Sequence, residues 1–233
     1  MEYWRLILSY GEIKYIMKKV ICVICKTNKN TVLLYEGNFD KSKINSSIFS
    51  ARRIPDSLHY RLVKCNECGL IFSNPIMEHV KVENLYRQSR FNYGNESEYL
   101  RKTYFNYFKN ELYLKNKNIK ILEIGCGNGF FLEELFEQGF RNVYGIEPGK
   151  ESVLKADKNI KKRIKIDVLK KGLFEHGFFD IICCFHTLDH IIDLESFIIE
   201  IKSLLNKNGQ IFFIVHDTYG LSVKLLGEKS PIF

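Results

Sequence analysis

Long apolar runs are absent from this sequence. Its most hydrophobic windows, 181–185 and 211–215, are only as long as β-strands, so a membrane-spanning helix is excluded. Residues 1–16 lack the uninterrupted apolar core of a secretory signal, because charged side chains interrupt them. We therefore expect a cytoplasmic protein without a membrane partner. Met17 and the two lysines after it resemble a translation start, so we expect residues 1–17 to be a non-native or disordered extension.

The sequence also lacks an internal repeat. Its 233 residues, 45% of them hydrophobic, accommodate one full domain and a small appendage. A net charge of +8 is compatible with anionic partners such as nucleotide-linked substrates or RNA. Lysine is abundant along the whole chain, however, and we interpret its densest cluster, Lys158–Lys165, as solvated surface between predicted elements. A nucleic-acid partner is therefore not expected.

Three alternate glycines join a strand-like run to a helical pattern. The run Lys120–Ile124 is apolar, and the helical pattern begins at Phe130. The glycines between them are Gly125, Gly127 and Gly129. Glycine allows positive φ and a close approach of the backbone to a ligand, and the helix directs its first N–H groups at that ligand. The pattern predicts a cofactor-binding turn, with a purely structural turn as the alternative.

A carboxylate ends the next strand-like run. Glu147 follows Asn142–Ile146, at the position where doubly wound folds hold ribose hydroxyls. This favours a cofactor of the nucleoside type. The dinucleotide pattern G-x-G-x-x-G is not met, because the third glycine comes one residue too early, and the lysine of a P-loop is absent. NAD and ATP are therefore disfavoured.

From Glu123 to Asp217 the chain resembles class I S-adenosylmethionine (SAM) methyltransferases. The segments that carry the resemblance stand in the family's order at residues 123–129, 145–149, 166–168, 179–185 and 204–210. The resemblance implies an α/β fold with a Rossmann-like sheet, SAM as cofactor, and an enzyme that transfers a methyl group.

The resemblance also implies a set of cofactor-binding residues. It assigns the methionine end of SAM to the glycine turn, the ribose to Glu147, the adenine to Asp167 and Val168, and to Glu123 a role in holding the turn and the amino group. The whole set is Glu123, Gly125, Cys126, Gly127, Asn128, Gly129, Glu147, Pro148, Asp167, Val168, Phe185 and His186.

Three histidines near strand ends are candidates for a general base. They are His186, His190 and His216. Methyl transfer from a sulfonium depends mainly on positioning, and a base is required only when the acceptor must lose a proton. The alternative for each is a helix cap or a packed surface group. Tyr86 and Tyr93 are candidates for covering the site, or for interdomain core.

Four cysteines form two C-x-x-C pairs. They are Cys22, Cys25, Cys65 and Cys68. Each pair places two thiolates on one turn, and two turns complete a tetrahedral zinc shell, so we predict structural Zn²⁺. Two disulfides are the alternative, which a chain without a secretory signal disfavours. The remaining cysteines, Cys126, Cys183 and Cys184, read as small apolar residues.

Short strand-like runs surround the cysteine pairs, as in a zinc ribbon. They are Thr31–Tyr35, His59–Val63 and Leu70–Phe72. Helices are predicted at Glu78–Arg87 and Glu98–Leu114. We therefore predict a zinc-ribbon domain at 18–76, a helical linker or lid at 77–118, and a SAM-binding domain at 119–233.

A zinc ribbon ahead of a SAM domain is similar to sugar C-methyltransferases, which act on nucleotide-linked keto-deoxysugars. This implies a small acceptor, a sugar nucleotide or glycan precursor. Those enzymes carry tyrosine and histidine after the ribbon, where Tyr93 of this chain matches the tyrosine and no histidine lies nearby. They also carry an acidic–His pair beyond strand five. The alternatives are a zinc-containing RNA methyltransferase and a truncated, non-catalytic SAM-binding protein.

The sequence stops at Phe233, about where that acidic–His segment would begin. We therefore expect a sheet that is incomplete after strand five, an exposed apolar edge, and self-association through that strand.

Overall fold

The computed structural model describes residues 17–27, 29–38, 58–88, 96–112 and 116–230. Contacts between residues divide the chain into two units. The first holds the described residues up to Leu85 and those from His216 onward, and the second holds those from Tyr86 to Val215. The predicted domain boundaries stay predictions. Among the described residues, no helix has the length and apolar character that a membrane crossing requires.

Short antiparallel strands build the first unit. In its described part they are β1 (Met17–Lys18), β2 (Thr31–Tyr35), β3 (Leu62–Cys65), β4 (Ile71–Ser73) and β5 (Ile76–Met77). β3 pairs with β2 and with β4, and β1 pairs with β5. Leu62, Val63 and Met77 are buried. These strands are too short to bury a large core.

One of the predicted ribbon strands is displaced. β2 coincides with the predicted run, whereas β3 begins at Leu62 and not at His59. The backbone of His59 is engaged elsewhere: its N–H donates to Oδ1 of Asn38 at 3.0 Å, and its carbonyl accepts from the Asn38 N–H at 3.3 Å. The chain therefore begins to pair with β2 and β4 only after this contact.

Two helices follow the strands. They are α1 (His79–Arg87) and α2 (Glu96–Leu112). Both lie within two residues of their predicted ends, as is usual for helix boundaries.

The second unit is a parallel α/β sheet. Its elements are β6 (Lys120–Ile124), α3 (Phe130–Glu137), β7 (Asn142–Ile146), α4 (Lys150–Leu154), α5 (Lys158–Lys161), β8 (Ile164–Lys165), β9 (Phe179–Phe185), α6 (Leu194–Leu204) and β10 (Leu205–Ile214). Within the described ranges the strand order is β10-β9-β6-β7-β8, and every pairing is parallel. The predicted Rossmann-like sheet is confirmed.

Hydrophobic cores cover both faces of this sheet. Ile121 and Cys183 face the core shared with α2 and α3, whereas Leu122 and Cys184 face the core shared with α6. All four side chains are fully buried. The two neighbouring cysteines therefore fill opposite cores as small apolar groups, as predicted.

An ion-pair cluster attaches α2 to α3. Arg101 of α2 donates through Nε to Glu134 at 2.6 Å and lies 3.5 Å from Glu133. Its guanidinium also contacts Glu137. Glu134 is buried, so Arg101 supplies the positive charge that this carboxylate needs inside the protein.

The last strand of the sheet is longer than the predicted window 211–215. Leu205 already pairs with Phe179, and regular pairing resumes at Gln210 opposite Ile181, after a bulge. β10 forms one edge of the sheet that the described residues make.

The lysine cluster 158–165 was predicted to lie between elements, and this is wrong. It contains α5 and β8, because Ile160 and Ile164 are buried and anchor the segment. Its lysines are nevertheless exposed, as predicted for a solvated surface.

Candidate functional site

The carboxyl ends of β6, β7, β8 and β9 meet at one edge of the parallel sheet, where open α/β folds bind their ligands. The loops that follow these strands contain the glycine turn, Glu147, Asp167 and His186. The chain therefore brings four of its predicted site segments to one edge.

The glycine turn adopts a backbone that only glycine accommodates. φ is +76° at Gly125, +56° at Gly127 and +74° at Gly129. A Cβ at Gly125 would stand 2.3 Å from Oγ1 of Thr187, and one at Gly129 would stand 2.6 Å from Cγ2 of Ile160. Both the backbone conformation and the lack of space require glycine at these two positions.

Glu147 holds this turn in place. Its Oε2 accepts the N–H of Gly127 at 2.9 Å, and its Oε1 accepts the N–H of Gly149 at 2.7 Å. Burial raises the pKa of Glu147, while these two hydrogen bonds oppose the shift. Each carboxylate oxygen keeps a second lone pair, which a ribose hydroxyl could use. Glu147 therefore holds the turn, and the role predicted for Glu123 stays a prediction.

Two buried oxygens at the turn have no hydrogen-bond partner among the described residues. They are Oε2 of Glu123 and Oδ1 of Asn128. Glu123 is only 3% exposed, and burial, together with the charge of Glu147, raises its pKa well above the usual range. Buried polar atoms in proteins are normally satisfied, so these two oxygens indicate a partner that the described residues do not supply. The ammonium group of an amino-acid moiety would be such a partner.

The neighbouring Cys126 is not a nucleophile in this arrangement. It is 2% exposed, and burial raises the pKa of its thiol. A Cβ at Gly145 would stand 2.6 Å from its Sγ, which shows how closely the turn packs on β7. Pro148, half-buried, continues the segment from Glu147 to α4.

Asp167, after β8, is engaged by two cations. Nζ of Lys170 lies 2.5 Å from Oδ2, and Nη2 of Arg87 lies 2.9 Å from Oδ1. Lys170 first, and then Arg87, lower the pKa of this carboxyl to about 2. Val168, predicted to face the adenine, is half-buried and donates its N–H to Asp167. The predicted adenine contacts stay predictions.

Phe185 does not present its side chain at the strand ends. The ring is buried against Tyr104, Phe131 and Phe212, and the predicted contact of Phe185 with the cofactor stays a prediction. Its carbonyl accepts the hydroxyl of Thr187 at 3.0 Å. The core takes this ring because Phe185 is the last residue of a strand covered on both faces.

His186 stands in a strained backbone conformation. Its φ is +46°, its N–H donates to the carbonyl of Ile214 at 2.8 Å, and its ring lies 6.1 Å from that of Tyr104. Positive φ is uncommon outside glycine and clusters at functional sites.

A hydrogen bond connects His190 to Tyr86 of α1. Oη of Tyr86 lies 2.7 Å from its Nδ1, and Oδ2 of Asp189 lies 3.7 Å from its Nε2. His216, the third candidate, is exposed and belongs to the first unit. Tyr93 lies outside the described residues.

Sequence reasoning missed three contributors to the site. They are Thr187, Arg87 and Lys170, which back the glycine turn or neutralise Asp167. Arg87 also lines an open cavity together with Gln88, Lys150 and Glu151. Only Lys170 carried a local signal, because it stands three residues after Asp167.

The four paired cysteines converge in the first unit. All four Sγ atoms lie within 4.8 Å of one another, with Cys22 and Cys68 at 3.6 Å and Cys25 and Cys65 at 3.8 Å. The backbone N–H of Cys68 is the main cause that lowers the pKa of Cys65, to about 7.

The two cysteine turns have the same construction. In the first, Lys26 donates its N–H to the carbonyl of Cys22 at 2.8 Å, and in the second, Gly69 donates to Cys65 at 2.9 Å. Both donors have positive φ, +55° at Lys26 and +79° at Gly69. Two matching knuckles present four sulfurs to a common centre.

Comparison with known proteins identifies relatives of this chain. The chain is 37% identical over 100 residues to a ubiquinone biosynthesis O-methyltransferase of Pelagibacter ubique, covering 41% of this chain and 41% of that protein. An Escherichia coli protein of the same name is 28% identical over 109 residues, covering 44% and 45%. The matched region thus spans less than half the length of these relatives.

A putative methyltransferase from an antibiotic biosynthesis pathway of Anabaena variabilis has a solved structure with 21% identity and a TM-score of 0.47, covering 56% of this chain and 55% of that one. A family model described as a methyltransferase domain matches residues 97–229, more than half of the chain. The chain therefore belongs to the methyltransferase domain family.

Proposed function

We propose that this chain binds SAM at the glycine turn and transfers its methyl group to a hydroxyl oxygen of a small-molecule acceptor. The observation that carries the proposal is the pair of buried acceptor oxygens, Oε2 of Glu123 and Oδ1 of Asn128, beside the positive-φ glycines. A bound SAM would supply an ammonium group for these oxygens, ribose hydroxyls for Glu147, and a sulfonium methyl for transfer.

The proposal is tested by calorimetry with SAM, S-adenosylhomocysteine and NADH. We expect the first two to bind and NADH not to bind. Replacing Glu147 removes both the hydrogen bond to Gly127 and the proposed ribose contact. Glu147→Ala should therefore weaken the binding of SAM by about 1–3 kcal/mol. Glu175→Ala, at an exposed loop position of the same unit, is the matched control. Equal affinity for NADH, or an indifferent Glu147→Ala, would contradict the proposal.

The choice of oxygen as the accepting atom is supported by the name of the curated relatives, which are O-methyltransferases. Transfer of a labelled methyl group to catechol is a direct probe. A nucleotide-linked keto-deoxysugar is the second probe, because a four-cysteine cluster ahead of the SAM domain is the feature that favours a sugar acceptor. Methylation at carbon of the sugar, with no product from catechol, would replace the proposed acceptor class.

We also propose that the four cysteines bind one structural Zn²⁺. A tetrahedral ion with Zn–S bonds of about 2.3 Å separates its sulfurs by about 3.8 Å. Two of the Sγ–Sγ separations, 3.6 and 3.8 Å, fit this geometry, and all four sulfurs lie within 4.8 Å of one another. Four thiolates would fill the shell and leave no position for a catalytic water, so the metal would serve folding. Reduced thiols also suit the cytoplasmic location that we propose.

Elemental analysis should find one zinc per chain in protein purified without chelator. Cys65→Ser should lose the metal and unfold the first unit, because this small unit has little other core. Cys183→Ser, at a buried cysteine outside the cluster, should keep the zinc. Metal-free protein with an intact first unit would refute the site.

A further inference from the structure

The last turn of α1 reaches across the cofactor strands. Tyr86 contacts His190, which follows β9, and the next residue, Arg87, contacts Asp167, which follows β8. In the sheet, β6 and β7 lie between β9 and β8. Tyr86 and Arg87 therefore connect the loop after β9 with the loop after β8, the strands on either side of β6 and β7.

The two strands between these loops lead to the proposed cofactor site. β6 ends at the glycine turn and β7 ends at Glu147. Arg87 and Gln88 line an open cavity with Lys150 and Glu151, which begin the helix after Glu147. Tyr86 directly precedes these cavity residues and is held at the loop after β9 by His190.

The two ring nitrogens of His190 have different neighbours. Nε2 lies 3.7 Å from the carboxylate of Asp189, and Nδ1 lies 2.7 Å from Oη of Tyr86. A neutral imidazole carries one proton, and a lone pair turned towards a carboxylate is repelled. Asp189 therefore favours the proton on Nε2, which leaves Nδ1 to accept the hydroxyl of Tyr86. In this tautomer His190 acts as a base towards Tyr86.

We propose that Tyr86 is a catalytic residue of the methyl transfer, with His190 and Asp189 as positioning residues behind it. The inference rests on the proposed O-methyl transfer. The acceptor hydroxyl gives its proton to the Tyr86 oxygen while the Tyr86 proton moves to Nδ1 of His190. The acceptor oxygen forms a bond to the methyl carbon, and the carbon–sulfur bond breaks with its electron pair left on sulfur. The imidazolium, held beside Asp189, then releases the proton to water.

The tautomer of His190 can be determined on the protein alone, without a methyl acceptor. In protein with ¹⁵N-labelled histidine, we expect NMR to show His190 protonated on Nε2, with Nδ1 accepting a hydrogen bond. Tyr86→Phe should shift the Nδ1 resonance, and Asp189→Asn should mix the two tautomers. Tyr107→Phe, an exposed tyrosine on α2, is the control and should change neither. A His190 that is protonated on Nδ1 in the wild-type chain would overturn the proposal.

The second test compares acceptors of different acidity. Proton transfer by a positioned group contributes about 100-fold or more to a rate, so Tyr86→Phe should lose about that much with catechol. Nitrocatechol is largely ionised at neutral pH, so the same variant should lose less than about tenfold with it. Equal losses on both acceptors, or an unchanged rate with catechol, would show that Tyr86 serves structure alone.

Failure of the proposed function is distinguishable from failure of this inference. If the wild-type chain binds SAM but methylates neither catechol nor nitrocatechol, the proposed O-methyl transfer is wrong. The NMR result still decides whether His190 accepts a hydrogen bond from Tyr86. Tyr86→Phe should keep its SAM affinity within about twofold of the wild type, which verifies that the variant folds. A turnover defect in a variant that no longer binds SAM would count against the proposal.

Discussion

Glu123 is the residue at which stability and ligand binding oppose each other. Its carboxyl is buried beside Glu147, and its pKa is raised above the usual value near 4.5. Between the unfolded and the folded pKa, the folded chain binds more protons than the unfolded chain. The free energy of unfolding therefore falls as the pH rises through that window. An acidic side chain retained at this cost in stability is consistent with a role in binding a ligand.

We predict that Glu123→Gln abolishes this pH-dependent loss and leaves the second unit at least as stable as the wild type at pH 7. The same variant should bind SAM more weakly by about 1–3 kcal/mol, because the ammonium loses its anionic partner. Thermal melts across pH, beside calorimetry, measure both quantities.

Glu175→Gln, on an exposed loop, should change neither quantity. A Glu123→Gln variant that melts lower than the wild type at pH 7 and binds SAM normally would show that Glu123 stabilises the fold and does not contact the ligand.

At the scale of elements, one guanidinium forms the ion pairs that connect α2 with α3. Arg101 is 19% exposed, and its partner Glu134 is 8% exposed. Removing the cation would leave a carboxylate largely buried without its counter-charge. The loss in the free energy of unfolding should lie between the loss expected for a buried ion pair and that for a surface ion pair.

We therefore predict that Arg101→Met destabilises the second unit by about 2 kcal/mol, as measured by urea denaturation. Lys102→Met is the matched control on the same helix, because its ion pair with Glu98 is exposed, and it should cost less than about 0.5 kcal/mol. Adding Glu134→Gln to Arg101→Met should recover part of the loss. Equal effects of the two methionine variants would contradict this account.

The elements that the sequence predicted best are those with local signals. The segment 179–185, which the resemblance to methyltransferases singled out, coincides with β9, and its apolar part 181–185 suits a strand of a sheet covered on both faces. The start of β10 was missed, because the residues between Leu205 and Gln210 form a bulge that resembles a loop in sequence.

The candidate site was predicted in its positions but only partly in its contacts. Strand ends and glycines are local features, so the turn and Glu147 could be located. The partner of Glu147 proved to be the backbone of Gly127, and that of His190 proved to be Tyr86, 104 residues away. Such pairings depend on how distant loops meet, which periodicity and spacing do not encode.

At the scale of the whole molecule, self-association through the fifth strand stays a prediction. β10 is an edge strand of the sheet that the described residues form, and its apolar residues 211–214 are half-buried. An unpaired edge of this kind can pair with a second chain. Light scattering should show a mass that rises with protein concentration, and Val215→Lys, at an exposed position beside the edge, should reduce it. A mass that stays that of one chain at all concentrations would exclude the association.

The central place of β6 also determines when the site can exist during synthesis. β6 leaves the ribosome well before β9, and its Lys120 N–H is bonded to Asp180, 60 residues later. Thr187, which backs Gly125, follows β9. A nascent chain that has completed only the glycine turn therefore lacks one wall of its pocket. Because pairing over such separations is slow, SAM would stabilise the finished sheet and could not guide its early folding.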